Sequence, residues 1–312
     1  MTGTAAHGQV SAPGAPAVAA EAQAAAARDE RLRFTTSDDV PLEAWYYPAA
    51  RSDDDVGPPA VVILLHELGG SHASVEPLAR DLQANGIAVV APNLRHHGGD
   101  SADIRSLKST DFAKMAATAG SRVRAQARDR GDVETVRNWI KSQADAGRLD
   151  MSKVVVVGVG VGAAVAAHWI VADAAWPAIA TGPQGGEVRG LVLVSPAWIT
   201  RGFSIAPALG AERVKRDIPI LVIGGSKDAD AVKIYELLKK QRPDGWHEKR
   251  GQTFKQAPKL PEHTLPSLFL RQFETDLTGD RLAATMPRNQ RQATSPSAAI
   301  QAFVGAVTSA ER

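Results

Sequence analysis

From about Glu30 the chain alternates short apolar runs with amphipathic stretches. Leu32-Arg33-Phe34-Thr35-Thr36 and Leu42-Glu43-Ala44-Trp45-Tyr46-Tyr47 are rich in β-formers and flank Ser37-Asp38-Asp39, a pattern that predicts two strands and a turn. Val61 to Leu65 and Ile87 to Val90 are continuous apolar runs, as expected of strands covered on both faces of a parallel sheet. Between them a helix is predicted from about Ser74 to Asn85, closed by Gly86. A second runs from Val133 to Gln143, with Asp132 as N-cap and Val133, Val136, Trp139 and Ile140 on one face. Strands follow at Val154 to Val157, Val188 to Val194 and Ile218 to Ile223, then a helix at Ala231 to Lys240. A last strand is expected near Thr253 to Gln256 and a last helix near Ala298 to Ala310. Repeated strand–helix units mean an α/β fold, a mostly parallel sheet of about eight strands with helices on both faces. No internal repeat or second core is visible, so residues 31–312 read as one domain.

Residues 1–30 contain twelve alanines and no Leu, Ile or Phe, and no core can be built from them. They read as a disordered Ala/Pro-rich tail. Their longest uninterrupted apolar run, Ala17 to Ala20, is too short for the apolar region of a secretory signal. Such a tail is equally what remains as a linker after a signal is removed, so the compartment stays open between a default cytoplasmic one and export. Val154 to Ala172 is long enough to be tested as a membrane span, with His168 its only polar side chain. Four valines, then Gly158, Gly160 and Gly162, then an Ala-rich stretch make it a buried strand, a tight turn and a buried helix instead.

Composition narrows the chemistry. Lys and Arg total 36 against 34 Asp and Glu, a net charge of +2, which argues against a dedicated nucleic-acid surface. The basic clusters Arg122 to Arg130 and Lys239 to Arg250 are interspersed with acids and read as solvated faces. There is no cysteine, which removes disulfides, thiolate metal sites and a thiol nucleophile.

Parallel sheets place their chemistry in the loops beyond the carboxyl ends of the strands. Those loops read His66-Glu67-Leu68-Gly69-Gly70-Ser71, then Ala91-Pro92-Asn93-Leu94-Arg95-His96-His97-Gly98, then Gly158-Val159-Gly160-Val161-Gly162, then Gly224-Gly225-Ser226-Lys227-Asp228, with Pro261-Glu262-His263-Thr264 last. With these five segments in this order the chain resembles the α/β-hydrolase superfamily over residues 31–312, and is similar to its small capless esterases and dienelactone hydrolases. The resemblance implies an oxyanion loop at "LLHELGGS", an acid at Asp228 and a base at His263, in the chain order nucleophile, acid, base. It implies backbone oxyanion donors at Leu68 and Val161, with His66 and Glu67 at the pocket.

The sequence departs from that family pattern at two points. Gly160 stands where G-x-S-x-G has its serine. Glu67 stands where glycine usually follows the oxyanion-loop histidine; facing inward it would oppose an oxyanion, and facing outward it would not, and the sequence does not choose. Gly158, Gly160 and Ala163 also satisfy G-x-G-x-x-A, but the next strand ends Leu193-Val194-Ser195-Pro196 without the acidic partner that a dinucleotide ribose needs. His66, Glu67, His72, His96 and His97 show no H-E-x-x-H spacing, so neither a metal nor another cofactor is expected. Asp228 also suits the N-cap of the next helix, and His247 is the second choice for the base. The segment from Ser195 to Ile218 is too short for a helical cap, leaving Ser101 to Arg130, the Trp176 to Gly186 loop and Trp198 to wall the site. The expected function is that of a small-molecule-binding pseudohydrolase lacking a Ser or Cys nucleophile. The alternative is a hydrolase of esters or lactones that uses water activated by His263 and Asp228. Neither a nucleic-acid partner nor a membrane span is expected, and the oligomeric state is open.

Overall fold

Runs such as Val61 to Leu65 have no polar face to offer water, and in a computed structural model of the protein they form the middle of one sheet. The structure describes residues 29–51, 57–98, 104–116, 131–176, 185–242, 245–252, 268–285 and 295–309. The expected 1–30 tail therefore lies almost wholly outside the described residues. Strands β1 (Glu30–Thr35) and β2 (Pro41–Tyr47) form an antiparallel pair in which Leu32 faces Ala44. Strands β3 (Val61–Leu65), β4 (Ala88–Pro92), β5 (Val154–Val159) and β6 (Gly190–Val194) are buried along their whole length. A small hairpin, β7 (Ile199–Thr200) and β8 (Phe203–Ser204), precedes β9 (Ile220–Gly225), β10 (Trp246–Gln252) and β11 (Leu268–Phe273). The nine strands of the main sheet lie in the order β1-β2-β4-β3-β5-β6-β9-β11-β10, with only β2 antiparallel to its neighbours.

Helices cover both faces. Helix α1 (His72–Ala84), α2 (Ser109–Ala116), α3 (Asp132–Asp145), α4 (Val161–Ala174), the single-turn α5 (Ala206–Leu209), α6 (Ala229–Gln241), the short α7 (Gly279–Ala283) and α8 (Pro296–Ser309) follow in chain order. One core face joins Val61, Ile63, Val156 and Val222 of the sheet to Phe112, Val136, Trp169 and Ile234 of α2, α3, α4 and α6. The other joins Val62, Val155, Val192 and Leu221 to Leu78, Leu282 and Phe303 of α1, α7 and α8.

The sequence reading and the structure differ in three places, and one further expectation lies outside the described residues. The main sheet has nine strands, close to the expected eight, but two of them, β10 and β11, were not foreseen. The strand expected near Thr253 to Gln256 falls outside the described residues, and β10 ends at Gln252. Part of the polar stretch Ser101 to Arg130 forms α2, whose Phe112 and Met115 are core residues. Asp132 is not the N-cap of α3: Gly131 is, and the Asp132 carboxylate instead binds Arg95. The stretch Val154 to Ala172 divides into β5 and α4, and no described helix is long and apolar enough to cross a membrane.

Candidate active site

The turn from β5 into α4 has the shape of a nucleophile elbow. Gly160 sits at its apex at φ 54°, ψ −117°, a left-handed conformation that strains any residue with a Cβ. Its N–H donates to the Val194 carbonyl at 3.0 Å, and its own carbonyl accepts from Ala197 at 3.3 Å. The flanking glycines are required by packing: a Cβ at Gly158 would lie 2.5 Å from Cα of Ala163, and one at Gly162 would lie 2.6 Å from the His66 carbonyl. This close approach of α4 to β3 and β5 accounts for the G-x-G spacing without a dinucleotide.

His66 builds the loop that faces the elbow. Its Nε2 accepts from Leu94 N–H at 3.1 Å, so the ring proton is on Nδ1, which donates to the Glu67 carbonyl at 2.8 Å. Full burial holds this imidazole neutral, its pKa brought down to about 3. Gly70 N–H donates to the same carbonyl, and Glu67 N–H donates to Oδ1 of Asp280 at 3.0 Å. The backbone of Glu67 is thus gripped from both sides, and its side chain points inward. A Cβ at Gly160 would lie 2.8 Å from Glu67 Cβ and 3.4 Å from Oε2. A Cβ at Gly279 would land on the Glu67 carboxylate itself. Burial raises the pKa of Glu67, and the adjacent charge of Asp280 raises it further. Leu68 follows, and among the described residues neither its N–H nor that of Val161, the first residue of α4, donates a hydrogen bond.

Asp228 stands at the carboxyl end of β9 and caps α6, Oδ1 accepting from Ala231 N–H at 3.0 Å. Burial raises its pKa; the neighbouring Ser195 hydroxyl favours the charged form. Oδ2 of Asp228 and the Ser195 hydroxyl lie side by side, and neither has a well-aligned hydrogen bond to any other described group. Ser195, at φ 42°, is one of only four described non-glycine residues with positive φ. His263 lies outside the described residues, in the segment joining β10 to β11. His247, the second choice, sits on β10 with its ring edge-on to Phe269.

The sequence missed Gly279 and Asp280, which follow β11 at the carboxyl end of the sheet. Asp280 is buried, accepting from Glu67 N–H through Oδ1 and from the Ser74 hydroxyl through Oδ2. Only the unforeseen β11 could have directed attention there. Over this loop cluster, Arg201 of the β7–β8 turn donates to the carbonyls of Ile104 and Arg105, and Trp198 is covered by the Lys233 ammonium 3.7 Å from its ring. Among the described residues no three His, Asp or Glu side chains converge as metal donors.

The model of the alpha/beta hydrolase family matches residues 62–306, and the chain belongs to that family. Among solved structures, a Pyrobaculum calidifontis esterase aligns with TM-score 0.52 at 14% identity, covering 89% of this chain and 84% of its own. Dienelactone hydrolase from Anabaena variabilis aligns at 0.49 and 17% identity, covering 90% and 95%. Against Pyrococcus horikoshii acylaminoacyl peptidase the TM-score is 0.47 at 12% identity; 79% of this chain is covered but only 37% of that one. No curated protein matches in sequence.

Proposed function

We propose that the protein is a catalytically impaired α/β hydrolase that binds a small molecule at the former acyl-transfer site. The observation that carries this reading is the Glu67 carboxylate held over Gly160. At about 4 Å from a developing oxyanion, an ionised Glu67 would oppose it by roughly 4 kcal/mol at an effective dielectric near 20. Gly160 supplies no attacking oxygen, and loss of a serine that acts as one unit with its base costs about six orders of magnitude. What remains is a loop cluster at the carboxyl edge of the sheet with the N–H groups of Leu68 and Val161, which donate to nothing among the described residues and are suited to holding a small polar ligand.

A second reading rests on Asp228. Its Oδ2, with no well-aligned partner among the described residues, is an acceptor for an imidazole N–H, which His263 would supply while its other ring nitrogen deprotonates a water that attacks an ester or lactone. Turnover of p-nitrophenyl acetate by the wild-type protein separates the two. The first reading expects none above background; turnover that His263→Ala abolishes would overturn it and establish the second. Binding is read by thermal shift against a small-molecule set, where the first reading expects at least one stabilising ligand and a uniform lack of shift would refute it.

A further inference from the structure

We infer that Glu67, Gly160 and Gly279 are one interlocked unit: the Glu67 side chain fills a single volume left by two bare glycines, and Gly279 holds the place from which a base would face the elbow. This rests on reading Gly160 as the emptied nucleophile position. Three loops from distant parts of the chain converge here, after β3, β5 and β11. Two of them present a glycine with positive φ, 54° at Gly160 and 57° at Gly279, and a Cβ on either would meet the third loop's Glu67. Chain order supports the assignment. A base must come after the acid Asp228, as Gly279 does, and the described loop that follows β11 brings its backbone against Glu67, the same side chain that a Cβ at Gly160 would meet.

The two contacts differ in kind. At Gly160 the obstacle is the Cβ of Glu67, which cannot move unless the backbone gripped by His66, Gly70 and Asp280 moves. At Gly279 it is the carboxylate, the free end of a flexible side chain. Shortening Glu67 in two steps therefore separates them. Glu67→Ala removes the carboxylate and keeps the Cβ; Glu67→Gly removes both. A further consequence is that Gly160→Ser alone restores no catalysis, because its hydroxymethyl would enter space that Glu67 holds.

The test is thermal denaturation of Gly160→Ala and Gly279→Ala in three backgrounds: wild type, Glu67→Ala and Glu67→Gly. The loss of Tm caused by Gly279→Ala should fall by about half or more once the carboxylate is gone. The loss caused by Gly160→Ala should persist in Glu67→Ala and fall only in Glu67→Gly. Equal losses in all three backgrounds would overturn the proposal. If Gly160→Ala does not fold in the wild-type background, the Gly279 series alone decides the interlock. A second measurement addresses the place of the base: p-nitrophenyl acetate turnover by Gly160→Ser/Gly279→His should rise about tenfold or more when Glu67→Gly is added. Unchanged turnover, including none in either protein, would overturn that assignment. Denaturation does not depend on activity, so hydrolysis by the wild-type protein through His263 would refute the impaired reading and leave the interlock to stand or fall on its own data.

Discussion

Glu67 carries a titration signature that follows from its position. Burial and the neighbouring Asp280 raise its pKa above the ordinary 4.5, so the folded chain holds this proton more tightly than the unfolded chain. Stability from this group is therefore present at low pH and is lost as pH rises through the folded pKa. Glu67→Gln removes the ionisation and keeps the shape. It should raise Tm at pH 7 by a few degrees, roughly 2–4 °C, with the advantage vanishing below about pH 4.5, the unshifted value. Equal gains at pH 4 and pH 7 would mean that the charge of Glu67 plays no part. The sequence exposed Glu67 as a departure from the family pattern but not its direction. That direction is fixed by a tautomer of His66 and by Asp280, which lies 213 residues away. Long-range hydrogen bonds of that kind leave no local pattern to read.

At the scale of elements, the strands with continuous apolar runs were legible nearly residue for residue, because burial on both faces permits nothing else. β11 was not, since its sequence Leu-Phe-Leu-Arg-Gln-Phe places Arg271 in the middle of a buried strand, where the rule for buried strands expects no charge. β10 looked like a solvated charged stretch for a related reason: it is the edge strand, and charges are tolerated there. Asp132 shows a side chain with two local uses, decided by tertiary structure. It suits a cap, but it accepts from Arg95 N–H at 2.7 Å and from the Arg95 guanidinium, which also reaches Asp38. Both Arg95 and Asp132 are buried, so removing Asp132 leaves the Arg95 N–H without its acceptor and the guanidinium with Asp38 alone. Asp132→Ala should cost about 3–5 kcal/mol in urea unfolding, more than the roughly 1 kcal/mol expected for loss of a cap. A loss within the cap range would show that the ion pair carries no net weight.

For the molecule as a whole, the order of elements was readable because it follows from alternation, and the site was half readable because its loops follow the strands in that same order. What escaped was closure: which distant segments complete each face of the sheet. The face beneath β6 and β9 is sealed by α8, whose Phe303 is fully buried and meets Phe269 edge-on at 5.9 Å. Gly190 at the start of β6 is bare for the same reason, since a Cβ there would lie 2.7 Å from Cε1 of Phe303. Phe303→Ala should cost about 3–5 kcal/mol by opening a cavity between α8 and the sheet. Gly190→Ala should cost about 1–3 kcal/mol by overpacking that contact. If the two occupy one space, the double variant will be more stable than the sum of the single losses predicts, because the new methyl enters the cavity left by the ring. Strict additivity in calorimetric or urea unfolding would mean that α8 does not seat on β6 in solution.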